Sequence, residues 1–335
     1  MTSQLTIVAA IISFSVSIFL GKVLIPKLHK LKFGQTILDI GPSWHKKKQG
    51  TPTMGGIMFI AGITAAVVVC GAVLFIVQPE QFLESDRIKL FAGMVMALAF
   101  GFVGFVDDYV SIVKKQNIGL KAKQKLVMQF LIAIAFLATI YISGDHSTAL
   151  SLPGLFSFDL GPFFYYPVMT LFIVWFVNAV NITDGVDGLA GSVTFVAALG
   201  YLAVSTLLSV WSAQLMSVSL AAGCIGFLFW NFHPAKIFMG DTGSMFLGGM
   251  VVAIAFALKQ PLILIFMGII YICEAGSVVL QVISFKTTGK RIFKMSPIHH
   301  HFEMSGWKEN KIVLVFSLIA FLFSAAAVLL MRSFL

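Results

Sequence analysis

Residues 55–78 read GGIMFIAGITAAVVVCGAVLFIVQ, an apolar run that contains no charged side chain. A helix of roughly 20 such residues crosses the hydrocarbon core of a bilayer. Windows of this kind predict ten spanning helices, at residues 4–25, 55–78, 88–106, 126–143, 163–181, 189–209, 213–230, 243–258, 262–285 and 311–333. The composition agrees, because 59% of the 335 residues are hydrophobic and 11% are charged, outside the usual range of soluble domains. We therefore predict an all-α, polytopic membrane protein with one transmembrane domain over residues 1–335.

Three of the apolar runs refine this prediction. The ninth window is long and carries Gly268, Glu274 and Gly276, which predicts a bend in that helix. The first window follows no basic segment and precedes no small-residue cleavage site, so it is predicted to be a retained span. No disulfide framework is expected, because the cysteines are odd in number and lie within apolar runs: Cys70, Cys224 and Cys273.

The lysines and arginines are distributed unequally between the two sides of the predicted bundle. Nineteen of the 23 lie in or beside the loops after spans 1, 3, 7 and 9, and the opposite side has four. Because cytoplasmic loops carry an excess of these residues, the odd-numbered loops are predicted to be cytoplasmic and both termini periplasmic. The net charge of +9 is then largely a signal of topology, and a substrate-binding role for an individual lysine stays open.

Five of the fourteen carboxylates fall at the inner ends of spans 3, 5 and 7 or just beyond them: Asp107, Asp108, Asp184, Asp187 and Asp241. The pair in GFVGFVDDYV, residues 101–110, is predicted to end span 3, where the helix dipole opposes negative charge. A hard divalent cation or neighbouring lysines would relieve that cost. The sequence therefore predicts an acidic site at the cytoplasmic boundary, although a plain helix end remains the simpler interpretation of the pair.

Two further motifs carry polar residues to the same boundary. NAVNITDGVDGLAG, residues 178–191, has more amides and carboxylates than a capping turn between two spans requires. NFHPAKIFMGDTGS, residues 231–244, places Phe238 near Asp241 and ends in glycines that expose backbone N–H groups before span 8. Such a helix start suits an anion. Phe238 is either an interfacial aromatic or a stacking surface for a nucleobase.

The last inner loop contains MSPIHHHFE, residues 295–303. Three consecutive histidines suggest a transition metal, but adjacent side chains point in different directions and no cysteine is near. Phosphate binding or a structural role in the loop is the favoured interpretation. Carboxylates for a hard metal, cations for phosphates and a stacking aromatic together predict phosphoryl transfer between a nucleotide and a lipid. A lipid phosphate is mostly a dianion at neutral pH, so positioning and charge neutralisation should matter more than proton removal.

Five segments carry a resemblance to a known family. They are TPTMGG at residues 51–56, VDDY at 106–109, NITDGVDGLAG at 181–191, NFHPAKIFMGDTGS, and EAGSVVLQVISFKTTGKRIFKMSPIHHHFE at 274–303. Together they resemble the phospho-N-acetylmuramoyl-pentapeptide transferases of peptidoglycan synthesis. PIHHHFE and TPTMGG favour this family over relatives that transfer N-acetylglucosamine phosphate to the same carrier. The resemblance implies that UDP-N-acetylmuramoyl-pentapeptide and undecaprenyl phosphate give lipid I and UMP, with Mg²⁺. It also implies a homodimer in the bacterial inner membrane, with the active site facing the cytoplasm.

The resemblance also implies roles for individual residues. Asp241 would hold the Mg²⁺, and Asp107 and Asp108 would position the carrier phosphate or take up a residual proton. His299 would take part in catalysis beside the phosphates. One lysine of the run at residues 46–48, taken here as Lys46, would close the substrate pocket. The implied substrate-binding residues are then Lys46, Thr51, Lys115, Lys123, Asn178, Asn181, Asp184, Asp187, Asn231, Phe238, Ser244, His300 and His301. The bent ninth helix would shape a groove for the lipid tail.

Two questions stay open at this point. A cation-coupled secondary transporter would also need boundary carboxylates and broken helices, although it predicts carboxylates near the membrane midplane and related halves. Within the enzyme hypothesis, the carrier phosphate attacks directly or a covalent aspartyl intermediate forms first. We favour direct attack, because a dianionic nucleophile does not need the reaction split into two steps.

Overall fold

The computed structural model describes residues 2–30, 48–77, 84–114, 119–152 and 155–333. These ranges contain twelve α-helices and one β-hairpin. In chain order they are α1 (Thr2–Lys30), α2 (Gly56–Val77), α3 (Glu84–Lys114), α4 (Ala122–Ile142), β1 (Ala149–Leu152), β2 (Phe156–Asp159), α5 (Gly161–Thr183), α6 (Leu189–Leu207), α7 (Trp211–Asn231), α8 (Gly240–Ala257), α9 (Leu264–Met267), α10 (Ile269–Thr288), α11 (Ile298–Glu303) and α12 (Glu309–Arg332). Ten of these helices, α1–α8, α10 and α12, are long and apolar enough to cross a membrane. The predictions of a largely helical protein and of ten helices able to span a membrane are confirmed.

Helix α8 forms the centre of the bundle. Every residue from Thr242 to Ala257 is buried, and the helix packs most extensively against α3 and α5. Glycines of α8 permit this close packing. A Cβ atom added to Gly248 would lie 2.8 Å from the backbone of α5, and one added to Gly249 would lie 2.7 Å from the backbone of α3. The outer helices instead expose apolar side chains, including Phe19 of α1 and Leu314 of α12. An apolar exterior of this kind suits a helix bundle whose surroundings are lipid.

The two ends of the bundle differ in their polar contacts. One end, here called the hairpin end, carries the antiparallel β1–β2 pair and a buried ion pair of 2.6 Å between Lys89 and Asp145. The other, here called the acidic end, gathers the C-terminal ends of α3, α5 and α7 with the N-terminal ends of α4, α8 and α12. All five aspartates singled out from the sequence lie at the acidic end.

The structure corrects several predicted boundaries. Helix α3 continues to Lys114, so Asp107 and Asp108 do not end it; backbone hydrogen bonds carry the helix through polar residues that an apolar window excludes. Helix α8 begins at Gly240 rather than at residue 243, which places Asp241 inside its first turn. The β-hairpin between α4 and α5 was not predicted. The ninth predicted window is interrupted at Gly268, which separates α9 from α10, and the bend expected in that span stays a prediction.

Candidate active site

Glycines allow three helices to approach closely at the acidic end. A Cβ atom built on Gly104 of α3 would lie 2.1 Å from the carbonyl oxygen of Asp241. A Cβ atom on Gly56, at the start of α2, would lie 2.3 Å from the Cα atom of Gly243. Since real side chains do not tolerate such distances, only glycine permits these crossings. The beginning of α8 is thereby held against α2 and the polar end of α3.

The side chain of Asp108 caps helix α8 from a neighbouring helix. Its carboxylate accepts hydrogen bonds from the backbone N–H of Asp241 (3.1 Å), the backbone N–H of Thr242 (2.9 Å) and the hydroxyl of Thr242 (2.6 Å). Met239, which precedes the helix, offers no side-chain cap. The first N–H groups of a helix have no partner within it and favour negative charge. Asp108 therefore links α3 to α8 and fixes the position of Asp241.

Asp241 is the centre of the first polar cluster. Its carboxylate accepts a hydrogen bond from the amide of Asn181 (2.9 Å) and forms an ion pair with Lys125 of α4. The Asn181 amide also donates to the hydroxyl of Ser244 (2.8 Å), one turn along α8. The carboxyl group of Asp107 lies within hydrogen-bonding reach of Asp241 and accepts the backbone N–H of Leu120 (2.8 Å). Residues from α3, α4, α5 and α8 thus meet at one carboxylate.

Asp184 lies just beyond the end of α5, beside this cluster. Burial raises the pKa of its carboxyl group well above the ordinary value, and the carboxylates of Asp241, Asp108 and Asp187 raise it further. Proton uptake is one response to such crowding, and a bound cation is the other.

The donor set of the first cluster fits a hard divalent cation. Four carboxyl groups, those of Asp107, Asp108, Asp184 and Asp241, are close enough to influence one another, and Lys125 is the one ammonium group paired with them in the part of the chain that the structure describes. One positive charge does not balance the negative charge that these groups can carry. Carboxylate and amide oxygens are the ligands that Mg²⁺ prefers. With Asp108 committed to the helix N-terminus, Asp241 and Asp107 are the carboxylates best placed to hold Mg²⁺.

A second polar cluster surrounds Asp187. Its carboxylate binds Lys48 Nζ (2.7 Å), His233 Nδ1 (2.9 Å) and the backbone N–H of Ala235 (3.1 Å). Glu309, in the first turn of α12, binds the same Lys48 Nζ (2.6 Å) and the backbone N–H of Asp187 (3.1 Å). Asp187, His233 and Glu309 also have a spacing that a metal ion could bridge. The Lys48 ammonium group already supplies positive charge there, so the first cluster remains the better cation site.

Asn231 connects the loops around this second cluster. Its side-chain oxygen accepts the backbone N–H of Gly188 (3.0 Å), and its amide donates to the carbonyl of Ile237 (2.8 Å). Gly188 has a φ of +76°, a conformation that favours glycine, and it immediately precedes α6. Asn231 thereby fixes the α5–α6 turn against the α7–α8 loop.

The remaining predicted substrate residues are more dispersed. Asn178 pairs with Gln129 of α4 through two amide hydrogen bonds of 2.7 and 3.3 Å. The backbone of Phe238 pairs with that of Pro52 and Gly55, which brings the TPTMGG segment, including the half-buried Thr51, beside the second cluster. Lys123 is exposed near the start of α4. Lys46 and Lys115 lie outside the described residues.

The three histidines of the last inner loop point to different partners. His299 Nδ1 binds Glu274 (2.9 Å), His300 Nδ1 binds Glu303 (2.6 Å), and His301 Nδ1 accepts the backbone N–H of Lys294 (3.1 Å). These side chains do not converge on one point, which agrees with the preference against a zinc site. His299 alone is turned toward the α5–α6 turn, where its Nε2 lies 2.3 Å from the Cβ position of Gly185.

Sequence reasoning missed several members of these clusters: Lys125, Gln129, His233 and Glu309. Lys48 belongs to the lysine run that is predicted to supply one pocket residue, but the lysine predicted from that run is Lys46. Lys125 and Lys48 belong to lysine-rich inner loops, so the charge count contains a signal for them. Gln129 is a polar residue within an apolar span, which is another usable signal. Glu309 resembles an ordinary helix-start carboxylate in the sequence, and its contacts with Lys48 and the backbone of Asp187 distinguish it.

Comparison with known proteins shows which family the chain resembles. A family model described as glycosyl transferase family 4 matches residues 90–259, just over half of the chain. That segment runs from α3 to the end of α8 and contains the whole first cluster, so the fold and site define a membrane-embedded transferase. A signature of the phospho-N-acetylmuramoyl-pentapeptide-transferases matches residues 48–60, which begin at Lys48.

Curated relatives narrow the class further. The phospho-N-acetylmuramoyl-pentapeptide-transferase of Pelotomaculum thermopropionicum is 43% identical over 326 residues, covering 95% of this chain and 96% of its own. Those of Acetivibrio thermocellus and Bacillus subtilis are 46% and 42% identical, covering 91% and 94% of this chain and 89% and 94% of their own. The chain belongs to the phospho-N-acetylmuramoyl-pentapeptide-transferase family. The family resemblance seen in the sequence is confirmed.

Proposed function

We propose that this protein transfers phospho-N-acetylmuramoyl-pentapeptide from its UDP-linked form to undecaprenyl phosphate, with Mg²⁺, giving lipid I and UMP. The observation that carries the proposal is the gathering of Asp107, Asp241, Asn181 and Lys125 from four helices at one end of a membrane-spanning bundle. The names of relatives that align over nearly the whole chain support the same reaction. The alternative of a cation-coupled transporter has no such support.

Each residue of the first cluster would have a separate role in the reaction. Mg²⁺ held by Asp241 would offset the negative charge of the diphosphate. Lys125, adjacent to that carboxylate, is placed to bind a phosphate oxygen, as an ammonium group can do beside a transferring phosphoryl group. Asp107 is placed to orient the carrier phosphate or to take its residual proton. Asp108 acts indirectly, because its oxygens hold the start of α8.

The second cluster would bind the nucleoside part of the substrate. Lys48, Asp187 and Asn231 offer fixed hydrogen-bonding groups, and the half-buried Phe238 offers an aromatic face beside them. Within the lysine run at residues 46–48, Lys48 is the lysine that the structure describes, and its contacts with Asp187 and Glu309 suit a residue that closes the pocket.

The same proposal includes the cellular setting. The acidic end would face the cytoplasm, where the nucleotide substrate is made, and both termini would face the periplasm of a bacterial inner membrane. The break at Gly268 supports a groove for the lipid tail along α9 and α10. The protein would act as a homodimer with one transferase domain per chain.

Release of UMP from the UDP-linked substrate, with undecaprenyl phosphate in detergent, tests the proposal. We expect release that requires Mg²⁺ and that falls by about 100- to 1,000-fold in Asp241→Asn, because the loss of one group that stabilises the charge developing in the transition state costs roughly that factor in rate. The control is Glu84→Gln, an exposed carboxylate at the hairpin end. A transporter would release no UMP. Normal Mg²⁺-dependent turnover by Asp241→Asn would contradict the metal role.

A further inference from the structure

Glu274 is a fully buried carboxylate in α10 that the mechanism above does not use. Its Oε2 atom lies 2.9 Å from Nδ1 of His299 and 3.5 Å from the backbone N–H of the same residue. Its Oε1 atom has no hydrogen-bond partner among the described residues. A carboxylate without access to water requires a compensating partner. His299 is the side chain that the structure places on it.

The imidazole ring of His299 is also buried on the side of Nε2, the ring nitrogen that faces away from Glu274. The imidazole is 1% exposed, and its Nε2 atom has no hydrogen-bond partner in the described part of the chain. This atom lies over Gly185, where a Cβ atom would approach it to 2.3 Å. Gly185 directly follows Asp184, whose carboxyl group neighbours Asp241. A buried polar atom without a partner among the described residues, lying against the turn that carries Asp184, points to a ligand.

The charge balance of the pair indicates which ligand fits. A buried carboxylate and a neutral imidazole would leave one uncompensated negative charge, whereas a carboxylate and an imidazolium are neutral together. An imidazolium has a proton on Nε2 as well as on Nδ1, so Nε2 becomes a donor. An oxygen of a phosphate is the acceptor that such a donor suits.

We propose that Glu274 is a positioning residue that holds His299 as an imidazolium and directs its Nε2–H toward the diphosphate of the nucleotide substrate. This inference rests on the proposed function and assigns a role to a carboxylate that the proposed reaction leaves without one. Glu274 itself does not touch the substrate. It acts as the carboxylate of a carboxylate–histidine pair, which fixes ring orientation and supports the charged ring.

Two variants of Glu274 separate positioning from simple structural support. Gln in place of Glu274 retains an oxygen that can accept the Nδ1–H bond but removes the negative charge, and Leu removes both. We expect Glu274→Gln to lower kcat by about 10- to 100-fold with less than about a threefold change in KM for the nucleotide, because the donor acts mainly on developing charge. Glu274→Leu should lower kcat by at least as large a factor. A kcat that falls only in proportion to the folded fraction would overturn the proposal.

Nitrogen-15 NMR of histidine-labelled protein in lipid nanodiscs provides a readout that needs no turnover. The His299 signals are assigned by their loss in His299→Asn. We expect protons on both ring nitrogens in the unsubstituted protein and a loss of the Nε2 proton in Glu274→Gln. An unprotonated Nε2 in the unsubstituted protein, or an unchanged spectrum in the variant, would overturn the proposal. Because this measurement contains no substrate, failure of the proposed transferase reaction is detected separately, by absent UMP release.

Gln281 provides a matched structural control. It holds the same loop by accepting the backbone N–H groups of Ile292 and Phe293, each at 3.0 Å, without touching His299. We expect Gln281→Leu to lower thermal stability while leaving the His299 nitrogen spectrum unchanged. A His299 spectrum altered as in Glu274→Gln would show that any loosening of the loop has the same effect, and would count against the specific role of Glu274.

Discussion

At the scale of single residues, the two neighbouring aspartates of α3 have different environments. Asp108 accepts three hydrogen bonds from the start of α8, whereas Asp107 accepts one from Leu120 and faces Asp241. Adjacent positions on a helix point about 100° apart, so two identical side chains can serve one structural and one chemical purpose. The sequence suggests a joint role for the pair, and the structure gives the two carboxylates different hydrogen-bond partners.

The capping role of Asp108 gives a prediction about stability. Asp108→Ala should destabilise the protein by about 2 kcal/mol, since it removes a cap from α8 and leaves buried donors unpaired. Asp108→Asn retains one acceptor oxygen and should cost less. Thermal unfolding in detergent measures both. Equal midpoints for Asp108→Ala and the unsubstituted protein would contradict the capping role.

The raised pKa of Asp184 gives a prediction about pH. A carboxyl group whose pKa is higher in the folded state favours folding while protonated, and this stability is lost as the pH rises through the folded pKa. Asp184→Asn stays uncharged, so in EDTA its thermal midpoint should exceed that of the unsubstituted protein by an amount that grows as the pH rises above the ordinary carboxyl value of 3.8. A difference that is constant with pH would contradict this explanation.

The sequence could reveal the acidic site but not all of its contacts. The five aspartates lie in recognisable motifs at predicted helix ends, and ordinary charge counting places those ends on one side. Glu274 and Glu309 find their partners His299 and Lys48 across 25 and 261 positions of the chain, respectively. Such pairings have no local pattern in one sequence, because they depend on how the helices pack.

At the scale of helices, the crossing of α3 and α8 depends on the absence of a side chain at Gly104. The predicted apolar windows place both helices correctly but end α3 too early and begin α8 too late. Hydropathy detects the part of a helix that lipid surrounds, whereas the backbone continues its hydrogen bonding through the polar residues that form the site. The functional segments are therefore the ones that such windows describe least well.

The close crossing gives a prediction about packing. Gly104→Ala would place a methyl group 2.1 Å from the carbonyl oxygen of Asp241, so the helices must separate. We expect a loss of about 1–3 kcal/mol in stability and of about 100-fold in UMP release, since overpacking strains the core and a displacement of about 1 Å misplaces reacting groups.

Gly276→Ala is the matched control for this substitution, because its Cβ atom would meet nothing within 4 Å. Alanine there should raise helix stability by up to about 1 kcal/mol. Equal effects of the two substitutions on UMP release would show that the crossing does not position the site.

At the scale of the whole molecule, the arrangement of the two ends is set by the fold, and their orientation in the membrane is a prediction. The charge count assigns the acidic end to the cytoplasm because lysines accumulate there. Helix packing alone contains no information about which side of a membrane each end faces. Orientation therefore needs a separate measurement.

Single cysteines provide that measurement in a background without native cysteines. Lys123→Cys, exposed at the acidic end, should react with a membrane-impermeant maleimide only after spheroplasts are permeabilised. Ser157→Cys, exposed on β2, should react in intact spheroplasts. The reverse pattern would place the site on the periplasmic face and would contradict the proposed access of a cytoplasmic nucleotide.

The ion pairs between Lys48, Asp187 and Glu309 have a consequence for biosynthesis. Lys48 emerges early from the ribosome and Glu309 emerges only with α12, so the contact between them forms only after α12 has been synthesised. A nascent chain that has inserted α1 to α8 already contains the cation site and the Lys48–Asp187 ion pair, but it lacks the second carboxylate that holds Lys48. Competence for catalysis should thus arise in a single late step, when α12 enters the bilayer.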